Sequence, residues 1–184
     1  MSEKKAFLDA WEREAATTVK VLRAYPGGKE TMKPHTTCRT AQELAWTFAF
    51  EGVAATQALQ AEFKFPPTNM PAMPKTWSDT VGEVERVFKK MADEVRRVDD
   101  RQLNTTIKFY TAPKQLGDVR RQDFLWLMLN DMIHHRGQFS VYLRMAGGWR
   151  TKGGNRCPSS APRTRTRHRS AGRAPARRAS ARRR

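Results

Sequence analysis

The segment RQDFLWLMLNDMIHHRGQFSVYLRMAGG, residues 121–148, predicts the longest helix of the chain. The helix is expected from about Arg121 to Met145 and ends at two consecutive glycines, which are a common stop signal. Residues 124–129 are all apolar, so the helix is apolar nearly all round. Such a helix is buried on more than one side. We therefore expect it at the centre of a helical protein or in a subunit interface.

Three further helices are predicted upstream of this segment. Apolar residues recur at helical spacing over about residues 3–23 and again over about residues 78–98. Between them, the sequence TAQE at residues 40–43 is a capping-box pattern, which opens a helix predicted to run from Ala41 to about Phe63. The chain thus contains four long helical patterns.

The connections between the helices complete the prediction of the fold. Four prolines within residues 66–74 indicate an extended crossover loop. Residues 107–110 form one short segment predicted to be extended, and no repeat and no series of strands is evident. Four helices with one long crossover predict an all-α protein, a four-helix bundle.

The formal charge of +17 is concentrated at the C-terminal end of the chain. Residues 149–184 hold 13 of the 35 basic residues and no acidic residue, so residues 1–148 carry about +4. The last 36 residues also contain no Leu, Ile, Val, Met, Phe or Tyr and cannot bury a core. We therefore divide the chain into a bundle domain, residues 1–148, and a disordered Arg-rich tail, residues 149–184.

Three interpretations of the basic tail remain open. A genuine tail would bind nucleic acid through phosphate contacts with strong salt dependence, or a membrane surface or an acidic partner. The interpretation we favour is an out-of-frame translation, because the tail is nearly all Arg, Ala, Ser, Pro, Thr and Gly, which have GC-rich codons. One back-translation of residues 155–166, read from the third base, gives PVPVVGAPDAD. A nucleic-acid partner is expected only if the tail is real.

Several classes of protein are disfavoured by the sequence. The longest apolar run, residues 124–129, is far too short to span a bilayer, and no signal-peptide core follows the first residues. The two cysteines, Cys38 and Cys157, indicate no disulfide framework, and we expect Cys38 to be inert. No P-loop, dinucleotide-binding fingerprint or nucleophile elbow is present. We expect a cytoplasmic protein without a membrane partner.

Asp131 and His135 are the residues of the last helix that point to chemistry. They are four residues apart, so their side chains share one helix face. A carboxylate and an imidazole one turn apart can bind the same divalent metal, and bundles build such sites from inward-facing residues. His134 points about 100° away and is not expected to share that metal. The alternative is a histidine that is a surface residue or is hydrogen-bonded in the core.

Longer motifs add a resemblance to a known family. YTAP at residues 110–113, DMIHHRGQ at 131–138 and YLRMAGG at 142–148 resemble the DinB/YfiT-like family, and ELAW at 43–46 resembles its second motif. The resemblance covers nearly all of residues 1–148. It implies an up-down-down-up four-helix bundle, a homodimer, and three metal ligands, one on the second helix and two on the fourth. Characterised relatives are similar to transferases or isomerases that use low-molecular-weight thiols.

The ligand positions of the family can be carried over residue by residue. They fall on Thr47, Asp131 and His135, and Thr47 stands where the family has histidine. A neutral hydroxyl is a poor ligand for Zn or Ni, whereas Glu51, one turn after Thr47, offers a carboxylate. The set Glu51, Asp131 and His135 favours a harder or more weakly bound divalent metal than three imidazoles would. The alternative is a metal-free site with Asp131 hydrogen-bonded to His135 or Thr47.

Three functions follow from these observations. The first is a metal-dependent thiol transferase or isomerase acting on a small molecule, with no catalytic residue assigned beyond the ligands. The second is a non-catalytic, stress-related or damage-inducible bundle with a degenerate metal site. The third is a nucleic-acid-associated protein acting through its tail. Within the last helix, Gly137 is expected to permit a close helix approach, and Arg136 and Gln138 are expected to position loops.

Overall fold

The computed structural model describes residues 2–60, 63–67 and 69–148, in which five helices and one two-stranded sheet form. The predicted tail lies outside these residues. The elements in chain order are α1 (Glu3–Arg23), α2 (Ala41–Gln57), α3 (Trp77–Arg97), α4 (Asp100–Leu103), β1 (Thr106–Ala112), β2 (Gln115–Arg120) and α5 (Arg121–Met145). The predicted bounds of the first and last long helices are confirmed, and α3 begins and ends one residue earlier than expected.

Side-chain caps fix the starts of three of the long helices. Ser2, Thr40 and Thr76 each accept a hydrogen bond from a backbone N–H in the first turn of α1, α2 and α3. At α2 the predicted capping box is complete, because the Glu43 carboxylate also accepts from the N–H of Thr40. Such caps satisfy amides that the helix itself leaves unpaired.

Contacts at the two ends of α1 show that α1 and α3 are antiparallel. Lys4, at the start of α1, donates to the carbonyl of Val98, just beyond α3. Arg23, at the end of α1, pairs with Glu85 in the first half of α3, with 2.6 Å between Nη2 and Oε2.

The same reasoning places α5 parallel to α1. Arg120, directly before α5, pairs with Glu3 at 2.9 Å, and Lys29, beyond the end of α1, donates to the carbonyl of Ala146, just beyond α5. The helices α2 and α5 are antiparallel, as described below for the site. Therefore α1 and α5 run one way and α2 and α3 the other. The connection from α2 to α3 must return along the whole bundle, which explains the Pro-rich loop.

One core lies between the four long helices. Trp11 is fully buried and its Nε1–H donates to the carbonyl of Phe88 at 3.2 Å, which joins α1 to α3. Burying a large apolar side chain contributes roughly 1.5–3 kcal/mol. The largest fully buried apolar side chains are Phe7, Trp11, Leu22, Phe48, Met91, Phe124, Leu125, Met132, Phe139 and Leu143.

A glycine brings α2 and α3 together, but it is not the one expected. A Cβ atom added to Gly52 would lie 2.5 Å from Cγ1 of Val87, so the two helices approach too closely for any larger residue. A Cβ added to Gly137 would meet no atom within 4 Å. The expectation of a close helix approach at Gly137 is therefore wrong for the described residues.

The second helix ends earlier than predicted, at Gln57 rather than Phe63. Beyond Gln57, side chains from other elements donate to backbone carbonyls that a further helical turn would have paired. The guanidinium of Arg121 donates to the carbonyl of Ala58, and the amide of Gln102 donates to the carbonyl of Leu59 at 2.6 Å. Because these carbonyls are satisfied from outside, the helix ends without an exposed last turn.

The two-stranded sheet corrects the all-α prediction. Strands β1 and β2 are antiparallel, and Lys114 in the turn between them has a φ of 62°. The extended segment predicted at residues 107–110 lies in β1, where Ile107 and Phe109 are buried. Strand β2 was not predicted, because all its side chains are at least partly exposed and it includes Gly117 and Asp118, which are poor strand formers.

Helix α5 packs against both α1 and α2. Its outer face retains exposed apolar side chains, among them Ile133, Val141 and Met145. No helix in the described ranges is long and apolar enough to cross a membrane.

Candidate metal centre

Three ionisable side chains meet between α2 and α5. Each of Glu51, Asp131 and His135 offers one ligand atom, and these atoms all lie within 4.8 Å of one another. Glu51 comes from the middle of α2 and is only 1% exposed. Asp131 and His135 lie one turn apart on α5, as their spacing predicts, and are partly exposed. We call these three residues the trio.

Both carboxylates of the trio approach the same ring nitrogen. Nδ1 of His135 lies 2.5 Å from Oε1 of Glu51 and 3.7 Å from Oδ1 of Asp131. The ring of His135 is edge-on to Phe48, with 6.4 Å between the ring centroids. The contact from Glu51 also fixes the antiparallel packing of α2 and α5, together with Tyr142, whose hydroxyl donates to the carbonyl of Arg39 at 2.8 Å.

The burial of Glu51 changes the protonation of the pair. Burial raises the pKa of Glu51 to about 7, against the opposing effect of the hydrogen bond from His135. The same hydrogen bond raises the pKa of His135 above its usual value, while burial opposes the rise. Glu51 holds a proton more tightly because burial disfavours its charged form, and His135 does so because a buried carboxylate favours a nearby positive charge. A divalent cation would supply that charge as well.

One oxygen of the trio lacks the partner that a bound cation could provide. Oε2 of Glu51 is buried and has no hydrogen-bond partner. A buried polar atom without a partner costs about 1–3 kcal/mol, and a metal ion bound by this oxygen would remove that cost. Two carboxylates and one imidazole are also donors that divalent metals accept. The residues present therefore fit a divalent metal.

Thr47 lies near the trio but is engaged elsewhere. Its hydroxyl accepts a hydrogen bond from Nη1 of Arg39 at 2.8 Å and donates to the carbonyl of Glu43 at 3.2 Å. A hydroxyl with both partners satisfied, one of them a cation, is a poor metal ligand. Glu51, rather than Thr47, is the residue of α2 that reaches Asp131 and His135.

The trio opens into a cavity of about 920 Å³. Its polar lining residues include Arg39, Thr47 and Cys38. Aromatic and aliphatic residues line the rest, and the wall includes parts of α2, the crossover loop, β1 and α5. These apolar lining residues are Trp46, Phe50, Phe65, Met70, Met73, Phe109, Leu127 and Met128.

The neighbours of the trio on α5 have structural contacts. His134 is exposed, and its Nε2 lies 2.8 Å from Nε2 of Gln138, so His134 does not share the site. Arg136 pairs with Glu14 of α1 at 2.6 Å and also donates to Thr18. Arg136 thus joins two helices rather than positioning a loop.

Sequence reasoning assigned none of three groups that line the cavity, Arg39, Cys38 and Phe109, to the site. Arg39 precedes the N-cap of α2, and nothing in its local sequence predicts a contact with Thr47. Cys38 was expected to be inert, and its place in the cavity wall leaves that expectation untested. Phe109 lines the cavity from strand β1, in the segment that was predicted only to be extended.

Comparisons with known proteins agree with this architecture. The DinB family model matches residues 1–152. The crystal structure of a DinB-like protein from Bacillus subtilis has a TM-score of 0.64 and 19% identity, over 77% of this chain and 92% of that chain. A DinB-like protein from Bacillus cereus has a TM-score of 0.63 and 21% identity, over 78% of this chain and 92% of that chain. At these identities the likeness shows the fold alone. No curated protein matches the chain.

Proposed function

Because the chain belongs to the DinB family, we propose that it is a divalent-metal-binding protein that acts on a small molecule in the cavity beside the trio. The observation that carries the proposal is the cluster of Glu51, Asp131 and His135, in which Glu51 is buried and its second oxygen, Oε2, has no hydrogen-bond partner. A bound cation would give this carboxylate the partner that buried polar groups normally have.

The trio would hold the metal through one atom of each side chain. A bound divalent ion lowers the pKa of a thiol or a water molecule and so supplies a nucleophile at neutral pH. His135 must be neutral to act as a ligand, so it would release the additional proton that Glu51 stabilises. Phe48 packs against the His135 ring and holds its orientation. The thiol-transferase or isomerase reaction belongs to this proposal, with a low-molecular-weight thiol as the cosubstrate.

A metal titration tests the first step of this proposal. The full chain, freed of metal with a chelator, is titrated separately with Zn²⁺, Mn²⁺ and Ni²⁺, and the same is done for His135→Ala and His134→Ala. The two histidines are adjacent, but only His135 belongs to the trio. We expect His135→Ala to lose at least about tenfold in affinity, which is about 1.4 kcal/mol, and His134→Ala to bind as the wild type does. Equal affinity of all three proteins would overturn the site.

A non-catalytic bundle with a degenerate site is the second candidate. The observation in its favour is Thr47, which replaces a family ligand and is bound by the cation of Arg39. A metal-loaded protein that transfers no small thiol to any electrophilic acceptor would support this candidate. Transfer that depends on His135 would exclude it.

A further inference from the structure

We infer that the cavity beside the trio binds an organic anion, with its acidic group on Arg39 and its apolar body against the aromatic and methionine side chains. The inference deepens the proposed function, because it names the class of ligand that the same cavity takes. The inference rests on the proposed function in one respect only, namely that a bound ligand reacts in this cavity.

Arg39 is held in the cavity wall at both its backbone and its side chain. Its carbonyl accepts from the hydroxyl of Tyr142 on α5 at 2.8 Å, and its Nη1 donates to Thr47 on α2 at 2.8 Å. These two contacts position the guanidinium before a ligand arrives, and a fixed side chain loses less entropy on binding.

The charge of Arg39 remains available to a ligand. Within the described residues Arg39 forms no ion pair at 4.0 Å or less, and one of its N–H groups is used by Thr47. A guanidinium has five N–H donors and binds a carboxylate or sulfonate through two of them. The nearby Glu43 carboxylate also lines the cavity, but it accepts from the N–H of Thr40 at 2.7 Å in the capping box.

Most of the remaining lining residues are apolar, and some of them are partly exposed to water. Phe65, Met73 and Leu127 are 36%, 43% and 44% exposed, which is high for large apolar residues. Phe65 also makes edge-on contacts with Phe50 and Phe109, with ring centroids 5.9 Å and 4.9 Å apart. A ligand that covers these side chains gains roughly 25 cal/mol for each Å² of apolar surface removed from water.

The single arginine and the apolar lining residues together determine which class of ligand fits the cavity. A polyphosphate would require several cations, and Arg39 is the one arginine or lysine among the lining residues. A neutral apolar molecule would leave the guanidinium without an ionic partner. Of the carboxylates that also line the cavity, Glu43 is held in the capping box and Glu51 and Asp131 belong to the trio, so Arg39 is the charged group that an acidic ligand can contact. An anion with one acidic group and an aromatic or aliphatic body satisfies both the cation and the apolar lining. A small thiol that carries a carboxylate belongs to this class.

Two fluorescent dyes test this inference on the metal-free full chain. The dyes 8-anilinonaphthalene-1-sulfonate and N-phenyl-1-naphthylamine share one apolar body, and only the first carries an acidic group. We expect Arg39→Gln to weaken the sulfonate dye about tenfold and to leave the neutral dye unchanged. Arg39→Lys, which keeps the charge, restores part of the lost affinity.

Matched variants exclude general effects on the dyes. Arg97→Gln removes an exposed arginine of α3 that is paired with Glu94 and does not line the cavity, so it should affect neither dye. Leu127→Gln replaces a partly exposed apolar side chain of the cavity lining and should weaken the binding of both dyes. Every variant retains the same basic tail, so dye bound there is common to all of them.

The inference is overturned if Arg39→Gln changes the two dyes equally, or if Leu127→Gln changes neither. Because no metal is present in this experiment, its outcome is independent of the metal titration. If the protein binds the sulfonate dye through Arg39 but binds no metal, the inference holds and the proposed function is wrong.

Discussion

Glu51 combines deep burial with an incomplete set of hydrogen bonds. One oxygen contacts His135 and the other has no partner. In a protein selected only for stability such a residue would be replaced by a neutral one, because a buried charge without full compensation is destabilising. Local rules are commonly broken in this way at functional sites. The residue that weakens the metal-free fold is therefore the one we expect to hold the metal.

Replacing this charge should separate stability from metal binding. We expect Glu51→Gln at pH 8 in the presence of EDTA to melt a few degrees higher than the wild type, since it removes about 1–2 kcal/mol of burial cost. The same variant should bind metal at least about tenfold more weakly. Thermal denaturation followed by circular dichroism and a metal titration measure the two effects. A variant less stable than the wild type under these conditions would contradict our interpretation of Glu51.

The burial of Glu51 should also make the stability of the metal-free protein depend on pH. The pKa of Glu51 is raised by burial from 4.5 to about 7, so between these values the folded state binds more protons than the unfolded state. The pKa of His135 is also raised, chiefly by its hydrogen bond to Glu51, which acts with the same sign. Stability of the metal-free protein must then fall as pH rises through this window.

Denaturant unfolding in EDTA at several pH values measures this loss, with Glu51→Gln as the control. Relative to the variant, we expect the wild type to lose about 1–3 kcal/mol as the pH rises from 4.5 through 7, and the contribution of His135 to be lost above pH 6.5. Parallel curves for the two proteins would show that Glu51 does not titrate in this range.

Site residues related by helical spacing were predictable from the sequence, whereas contacts that depend on residues far along the chain were not. Asp131 and His135 follow from helical spacing, and Glu51 follows from its place one turn after Thr47. The contact between Arg39 and Thr47 was not predictable in the same way. Arg39 precedes the helix, where helical spacing sets no side-chain contact, and its carbonyl is held by Tyr142 more than a hundred residues later.

At the scale of elements, local signals predicted the helices and tertiary contacts corrected them. The capping box placed the start of α2, but its end depends on Arg121 and Gln102, which lie far along the chain. Strand β2 has little strand propensity of its own and forms because β1 pairs with it. The crossover loop and the hairpin contribute Phe65 and Phe109, so the irregular parts of the chain build the apolar wall of the cavity.

Two glycines inside helices test how closely α2 and α3 pack. Gly52→Ala would place a Cβ against Val87, whereas Gly82→Ala meets no atom within 4 Å. We expect Gly52→Ala to destabilise the fold by about 1–3 kcal/mol. Gly82→Ala should stabilise it by up to about 1 kcal/mol, because alanine has the better helix propensity. Urea unfolding of both variants measures the difference, and a Gly52→Ala variant as stable as Gly82→Ala would contradict the close contact.

At the scale of the whole molecule, the bundle and the basic tail pose separate questions. The net charge of +17 belongs mostly to residues 149–184, outside the described part of the chain. A homodimer also remains a proposal, and the exposed apolar side chains on the outer face of α5 are compatible with an interface.

The origin of the tail can be decided without a structure. If the tail is an out-of-frame product, the intact mass of the protein purified from its native source will differ from that of the 184-residue chain. If the tail is real, the full chain should bind DNA with an affinity that falls steeply with salt, and removal of residues 149–184 should abolish binding. A native mass that matches all 184 residues would contradict the frameshift.

The metal content of the protein tests the central claim most directly. The full-length wild type, His134→Ala and His135→Ala are loaded with an equal mixture of Zn²⁺, Mn²⁺ and Ni²⁺, desalted, and measured by plasma mass spectrometry. We predict about one divalent ion per chain in the wild type and in His134→Ala, and almost none in His135→Ala. Equal metal content in the wild type and His135→Ala would contradict the assignment of Glu51, Asp131 and His135 as the metal site.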